Sequence, residues 1–357
     1  TKKETRVVSD GQAGLKRWYV LGLDEVLVDV EVRNSQQVVS ELGLVSGESV
    51  RITDDQCRRL IDRLHGDGVS CTYAAGGTVA NTLNNYTYLS GEPAVLLGSI
   101  EQIIRPGGPA FAYVAQTAKA VDLSHLQPLD GPTGIAVTHI GTDGERSFGV
   151  APGVSQKLPP EAVSHELVDN AALALTSLYS FASPEQPIAA AARRLLELAH
   201  EADIPVAFGL GTAGLVRRMN EEVRELLRQY VTIAAMNTAE AEALTGHDDA
   251  LLACEHLLDW VDAVIVTEGP RGLTMGGWTD ESVKRETREK IRSKTISEYN
   301  RWEFSRLVRR KDCRDPIKIY SHIHPYRGGP DLLHNTNGAG DAALAALLHD
   351  VTANRYH

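Results

Sequence analysis

A stretch near the carboxyl end, Asn335-Thr336-Asn337-Gly338-Ala339-Gly340-Asp341-Ala342-Ala343-Leu344-Ala345-Ala346, concentrates residue types that can do chemistry. Gly338, Ala339 and Gly340 open an alanine-rich helix, where unshielded backbone N–H groups and the positive end of the helix dipole attract an anion. A carboxylate at Asp341, in the first turn, stands beside that anion. An anion hole next to a base is the pairing that phosphoryl transfer to a hydroxyl requires. The same residues also read as a glycine-rich helix start in which Asp341 only faces the dipole.

Other groups are suited to binding. In Ala75-Gly76-Gly77-Thr78-Val79-Ala80-Asn81 the glycines let a polyhydroxy ligand touch the backbone, and Asn81, one turn into a helix, offers a donor and an acceptor. Asp24 and Asp29 follow the first strand, where strand ends line a ligand crevice, so that either can grip vicinal hydroxyls or simply form a turn. Asn237 and Glu240, three apart on one helix face, can order the waters of a bound Mg²⁺, or can be a plain capping box. Thr267-Glu268-Gly269-Pro270-Arg271-Gly272 ends another strand in a glycine turn fit to touch a nucleotide.

These residues need a scaffold. Short β-branched runs at 18–22, 94–98, 172–177, 204–208, 231–235, 263–267 and 317–320 read as strands. Helical stretches at 54–65, 80–89, 184–202, 213–229 and 250–260 alternate with them. Near-continuous apolar strands between helices predict a doubly wound, mostly parallel α/β sheet flanked by helices. Segments 29–39 and 135–150 break the alternation and read as a small β-lid, the second folded at Thr142-Asp143-Gly144. The expectation is one core domain spanning 18–357 with that lid, rather than two domains.

Composition narrows the function classes. A chain of 357 residues, 43% hydrophobic and 23% charged, can bury a large core, which excludes a disordered chain or a mini-protein. The formal charge of −11 argues against nucleic acid as a partner, because phosphate-neutralising proteins carry a basic surplus. Between Asp280 and Asp315, however, 12 Lys/Arg stand against 8 Asp/Glu. That segment reads as a charged helical insert, with Ile296, Tyr299, Trp302 and Leu307 on its packed face; a solvated face, a flap over an anionic substrate and a homo-oligomer contact are the alternatives. The four cysteines, Cys57, Cys71, Cys254 and Cys313, form no Cys-x-x-Cys pair and read as reduced thiols. With no apolar run of membrane-spanning length and no secretory signal, the chain is expected in the cytoplasm, off the membrane. His322 and His324 alternate as on a strand and lack the ligand partners of a metal site.

The Gly-Gly…Asn, Asn-x-x-Glu, Thr-x-Gly-x-x-Gly and Gly-Ala-Gly-Asp elements, taken together and in this order, resemble the ribokinase, or phosphofructokinase-B, family of carbohydrate and nucleoside kinases. Gly22-Leu23-Asp24, Leu27-Val28-Asp29, Met236-Asn237, 240–246, 258–262 and 335–354 extend the resemblance, along nearly the whole chain from Trp18, to the bacterial members that act on inosine and guanosine. The resemblance implies a ribokinase-like fold and ATP-dependent transfer to the 5′-hydroxyl of a purine nucleoside. Asp341 matches the catalytic base, and Gly338, Ala339 and Gly340 match the anion hole. Asp29, Gly77 and Asn81 match the ribose-binding set, with Asp24, Gly76 and Thr78 beside them. Asn237 and Glu240 match the Mg²⁺/phosphate pair, acting through water, while Thr267, Gly269 and Gly272 match the ATP-site turn. The hairpin 135–150 resembles a lid, with Phe148 and Phe181 candidates to stack on the purine or to pack in the core.

Three departures stand out. Asn335 replaces the usual Asp, which weakens any K⁺ site; Gly98-Ser99-Ile100-Glu101 replaces a Gly-x-Asp element; and the few residues after Asp341 make the chain read as shortened. A ribokinase-type sugar kinase and a non-catalytic nucleoside-binding regulator are the competing functions. A nicotinamide dehydrogenase fits less well, since no Gly-x-Gly-x-x-Gly follows the first strand.

Overall fold

Apolar runs of four to seven residues, buried on both faces, line up side by side in the computed structural model. It describes residues 18–33, 38, 42–43, 49–68, 72–140, 146–285, 290–291, 299–300, 307–325 and 338–353. An eight-stranded sheet has the order Pro316–Ile323, Leu273–Asp280, Ala263–Thr267, Ile233–Asn237, Val206–Gly209, Ala171–Ser177, Tyr19–Leu23, Ala94–Leu97. All of its pairings are parallel except the two at the Pro316–Ile323 edge. Alternation along each strand feeds two apolar layers, as parallel sheets demand. Leu21 and Leu23 meet helices Pro187–Glu201 and Asn220–Tyr230, and Val20 meets Thr78–Ser90 and Ala339–Ala353. Among the described residues no helix is long and apolar enough to cross a membrane.

A second sheet has five strands in the order Ser49–Arg51, Arg146–Ala151, Gly134–Ile140, Leu27–Arg33, Thr72–Ala75. One face, with Val30, Val32 and Val137, packs on Leu60, Ile61 and Leu64 of helix Asp54–Gly66, whose start is fixed by a Thr53/Gln56 capping box. Only the link Asp24–Val26 separates this sheet from the core strand Tyr19–Leu23.

Several expectations need correction. The helix expected over 213–229 is two, Ala213–Arg218 and Asn220–Tyr230, divided at Met219, where φ is −113° and ψ 24°. Strand Leu273–Asp280 was not anticipated, since Gly276 and Gly277 interrupt its apolar pattern. The small sheet expected as a lid has two further strands, Ser49–Arg51 and Thr72–Ala75, and the Thr142–Gly144 turn lies outside the described residues. The charged stretch 280–315 is not a helix where it is described: Lys290–Ile291 pairs antiparallel with Tyr299–Asn300, and single 3₁₀ turns lie at Glu281–Val283 and Arg310–Asp312. Ile296 and Trp302 lie outside the described residues.

Candidate active site

Gly22 lets a helix come unusually near the first strand, because a Cβ there would lie 2.6 Å from Val79 Cγ1. That helix, Thr78–Ser90, starts at Gly77 with φ +92° and takes no cap from its own N-cap side chain. Asp24 supplies the cap instead. Its Oδ2 accepts from the N–H groups of Val79 at 2.9 Å and Ala80 at 3.1 Å, and its Oδ1 accepts from Glu25 N–H at 3.0 Å. Burial pushes the Asp24 carboxyl up to about 8 against the pull of those amides. A carboxylate expected to grip hydroxyls is thus already committed to shaping the glycine turn.

Asp29 is differently placed. It sits directly over Gly76, whose Cβ would come within 2.6 Å of Asp29 Oδ1, so only glycine fits beneath it. Burial, and then the charge of Glu31, raise the Asp29 carboxyl to about 6. Within its electrostatic reach is Asp341, in the first turn of helix Ala339–Ala353. Burial pushes Asp341 up to about 7; the Asn81 side chain lowers it and the charge of Asp29 raises it. Gly338 turns at φ +73°, and a Cβ on Gly340 would meet nothing within 4 Å, which leaves the space beside Asp341 open. The two helices are braced together where the Tyr86 hydroxyl and Thr352 Oγ1 lie 3.1 Å apart. Thr78 stands beside Gly209, at the carboxyl end of its strand. The structure therefore brings Asp24, Asp29, Gly76, Gly77, Thr78, Asn81 and Asp341 into one place.

Asn237 and Glu240 lie further along the same sheet edge. They form a full capping box: Asn237 Oδ1 accepts from Glu240 N–H at 3.0 Å, and Glu240 Oε2 accepts from Asn237 N–H at 3.1 Å. The Asn237 Nδ2 group also donates to Glu240 Oε1 at 2.6 Å. Burial raises the Glu240 carboxyl to about 7 against those bonds. Thr267 is the register partner of Asn237 on the next strand. Gly269, at φ +57°, faces open space, whereas a Cβ on Gly272 would lie 2.1 Å from Ile323 O. Gly272 thus serves the sheet, and Gly269 is the glycine left free for a ligand. Asn335 is outside the described residues.

Tyr179 belongs to no motif, yet it stands between the two groups. Burial and the charges of Glu240, Asp341, Asp24 and Glu25 all hold its hydroxyl protonated, and its ring lies 3.0 Å from where a Gly211 Cβ would be. The rule that ligands gather at strand carboxyl ends flags it, because it follows strand Ala171–Ser177. Phe181 is buried in the core 6.0 Å from Phe208, centroid to centroid, and takes the packing role. Phe148 is half-buried on the second sheet.

A half-buried, raised carboxyl in an open glycine turn, on a doubly wound sheet with a second small sheet, fits a ribokinase-like phosphotransferase acting on an alcohol group. The chain belongs to the pfkB family of carbohydrate kinases, the match covering residues 49–291. It is 42% identical over 340 residues to the guanosine-inosine kinase of Escherichia coli strain K12, spanning 95% of this chain and 78% of that protein. Two solved structures share the fold. Adenosine kinase from Sinorhizobium meliloti gives a TM-score of 0.69 at 23% identity, over 94% of this chain and 88% of that one. A probable sugar kinase from Rhizobium etli CFN 42 gives 0.71 at 20% identity, over 95% and 88%.

Proposed function

We propose that this chain transfers the γ-phosphate of ATP to the 5′-hydroxyl of inosine or guanosine, forming the 5′-monophosphate. The carrying observation is Asp341, a half-buried carboxyl raised to about 7 that follows an open glycine turn and senses the charge of Asp29. The identity shared with a guanosine-inosine kinase supports the choice of nucleoside.

In this scheme Asp29 accepts from the ribose hydroxyls above Gly76, and Asn81 holds Asp341 in place. Asp341 takes the proton of the 5′-hydroxyl as its oxygen attacks, and a carboxyl near 7 is well matched to that task at neutral pH. The backbone N–H groups at Gly338, Ala339 and Gly340 steady the charge on the transferring phosphoryl group. Asp24 is a positioning residue, since it orders the turn that the ribose meets.

ATP lies toward Asn237, Thr267 and Gly269. Both oxygens of Glu240 already accept from Asn237, so the pair suits a water-mediated contact with Mg²⁺ rather than direct ligation. Bound with ATP, Mg²⁺ neutralises phosphate charge. The five-stranded sheet, carrying Asp29, acts as the lid of one kinase unit and excludes water when it closes.

The test is a panel of nucleosides and free sugars incubated with ATP and read by ADP release. Inosine and guanosine should lead. Turnover of a sugar with none of a nucleoside points to the sugar-kinase alternative, and guanosine binding without ADP release to the regulator.

A further inference from the structure

Register across the smaller sheet places Ala74, Asp29, Ala136, Val150 and Arg51 in one row on one face. Their neighbours Val30, Val137 and Val50 point to the opposite face, into the layer against helix Asp54–Gly66. The row thus belongs to the crevice face, with Asp29 and Arg51 three strand spacings apart, about 14 Å. Ala136 and Val150 leave a low apolar floor between them, suited to a flat ring.

The far end of this floor carries a polar group that no part of the scheme above uses. Arg51 Nη1 donates to Ser183 Oγ at 2.6 Å, tying the smaller sheet to the core. Beside it is Glu25, only 7% exposed, whose Oε1 accepts from Gln156 Nε2 at 2.7 Å. Gln156 is itself fixed, because its carbonyl accepts from Ile188 N–H at 3.1 Å at the start of helix Pro187–Glu201. Burial raises the Glu25 carboxyl, while the hydrogen bond from Gln156 and then the charge of Arg51 pull the other way and favour its ionised form. Glu25 Oε2 takes no hydrogen bond among the described residues. That oxygen is not among the enclosed polar atoms left without a partner, so it is open to an incoming donor.

We propose that Glu25 and Arg51 read the six-membered edge of the purine, Glu25 Oε2 accepting from N1–H and Arg51 donating to O6. The assignment rests on the nucleoside-kinase function proposed above. A carboxylate is acceptor only and a guanidinium donor only. Inosine and guanosine present a donor at N1 beside an acceptor at O6, and the 2-amino group of guanine adds a second donor on the carboxylate side. Adenine presents the reverse, an acceptor at N1 and donors at N6, so that both contacts become repulsive. One pair of side chains therefore admits both 6-oxopurines and rejects adenosine. Gln156 is a positioning residue that aims Glu25.

The experiment measures kcat/KM for inosine, guanosine and adenosine with the unaltered protein, Glu25→Gln and Arg51→Met. The unaltered protein should favour the two 6-oxopurine nucleosides by roughly 10³-fold or more. The Gln side chain can accept from N1–H or donate to N1, so Glu25→Gln should narrow the inosine-to-adenosine ratio by about 5- to 150-fold, partly by raising adenosine turnover. Arg51→Met alters an exposed strand residue and should narrow the same ratio, which keeps the test open if Glu25→Gln does not fold. A uniform fall for all three nucleosides, the ratio unchanged in both variants, overturns the assignment and leaves a purely structural network. Failure of the unaltered protein to phosphorylate any purine nucleoside overturns the nucleoside function itself, and this assignment with it.

Discussion

In the proposed scheme the working groups at the acceptor end are side chains partly withdrawn from water: Asp29 and Asp341 are both raised by burial, and Asp24 is fully buried nearby. At the proposed donor end they are turns and caps: Asn237 and Glu240 satisfy one another, and Gly269 offers bare backbone. The difference follows from the chemistry each end must do. Removing a proton needs a group whose affinity for it is tuned by burial and neighbouring charge. Holding a polyphosphate needs donors in fixed positions, which backbone amides supply without carrying charge of their own. Substitutions at the acceptor end should therefore change chemistry, and those at the donor end affinity and stability.

The largest test of that contrast is Asp341→Asn, expected to lower kcat by about 10²–10⁴ with little change in thermal midpoint. Steady-state kinetics that show a loss under tenfold would move the base elsewhere. Next is Gly76→Ala, which sets a methyl 2.6 Å from Asp29 Oδ1 and must displace it. Nucleoside KM should rise roughly tenfold or more, the weight of a hydrogen bond to a charged group, with ATP KM unmoved; an equal rise in both would mean that the turn serves both ends.

A smaller effect should appear in the pH profile. Asp341 must be ionised to accept a proton, so kcat/KM should climb through about pH 7. The charge of Asp29 raises that carboxyl, so Asp29→Asn should move the acidic limb to lower pH, whatever it does to KM. A limb that stays put would show that the two carboxylates do not sense each other. Smallest is Asn237→Ala, expected to cost about 1 kcal/mol in denaturant unfolding through the lost cap and to raise ATP KM a few-fold. An unaltered ATP KM would reduce the pair to a cap alone.

Much of the core was legible because burial on both faces writes itself as apolar runs: 263–267 was read to the residue, and 94–98 and 172–177 to within one. What failed had a physical cause in each case. Leu273–Asp280 pairs antiparallel with a neighbour and carries two glycines, so its pattern is broken. Ser49–Arg51 is three residues long and mostly exposed, and offers no periodicity. Helical spacing of Ile296, Tyr299, Trp302 and Leu307 in 280–315 did not carry over to its described parts, which are extended or turned. In the site, the glycine–Asn and glycine–Asp motifs announced themselves, because close approach restricts residue type over consecutive positions. Glu25, Arg51, Gln156 and Ser183 could not, since their contacts join positions 131 and 132 apart in the chain. Asp24 was picked out for its residue type, but its role as a cap depends on a turn 55 residues away.

That cap also bears on how the molecule folds. Helix Thr78–Ser90 begins after a glycine and draws its N-terminal acceptor from the link that follows strand Tyr19–Leu23. On its own the segment would leave those amides to water and fray at the end that carries Asn81. The proposed nucleoside platform therefore takes shape only when strand and helix dock. A partly folded chain with its other helices in place but Tyr19–Leu23 still undocked would be blind to substrate, and a bound nucleoside would selectively stabilise the fully assembled form.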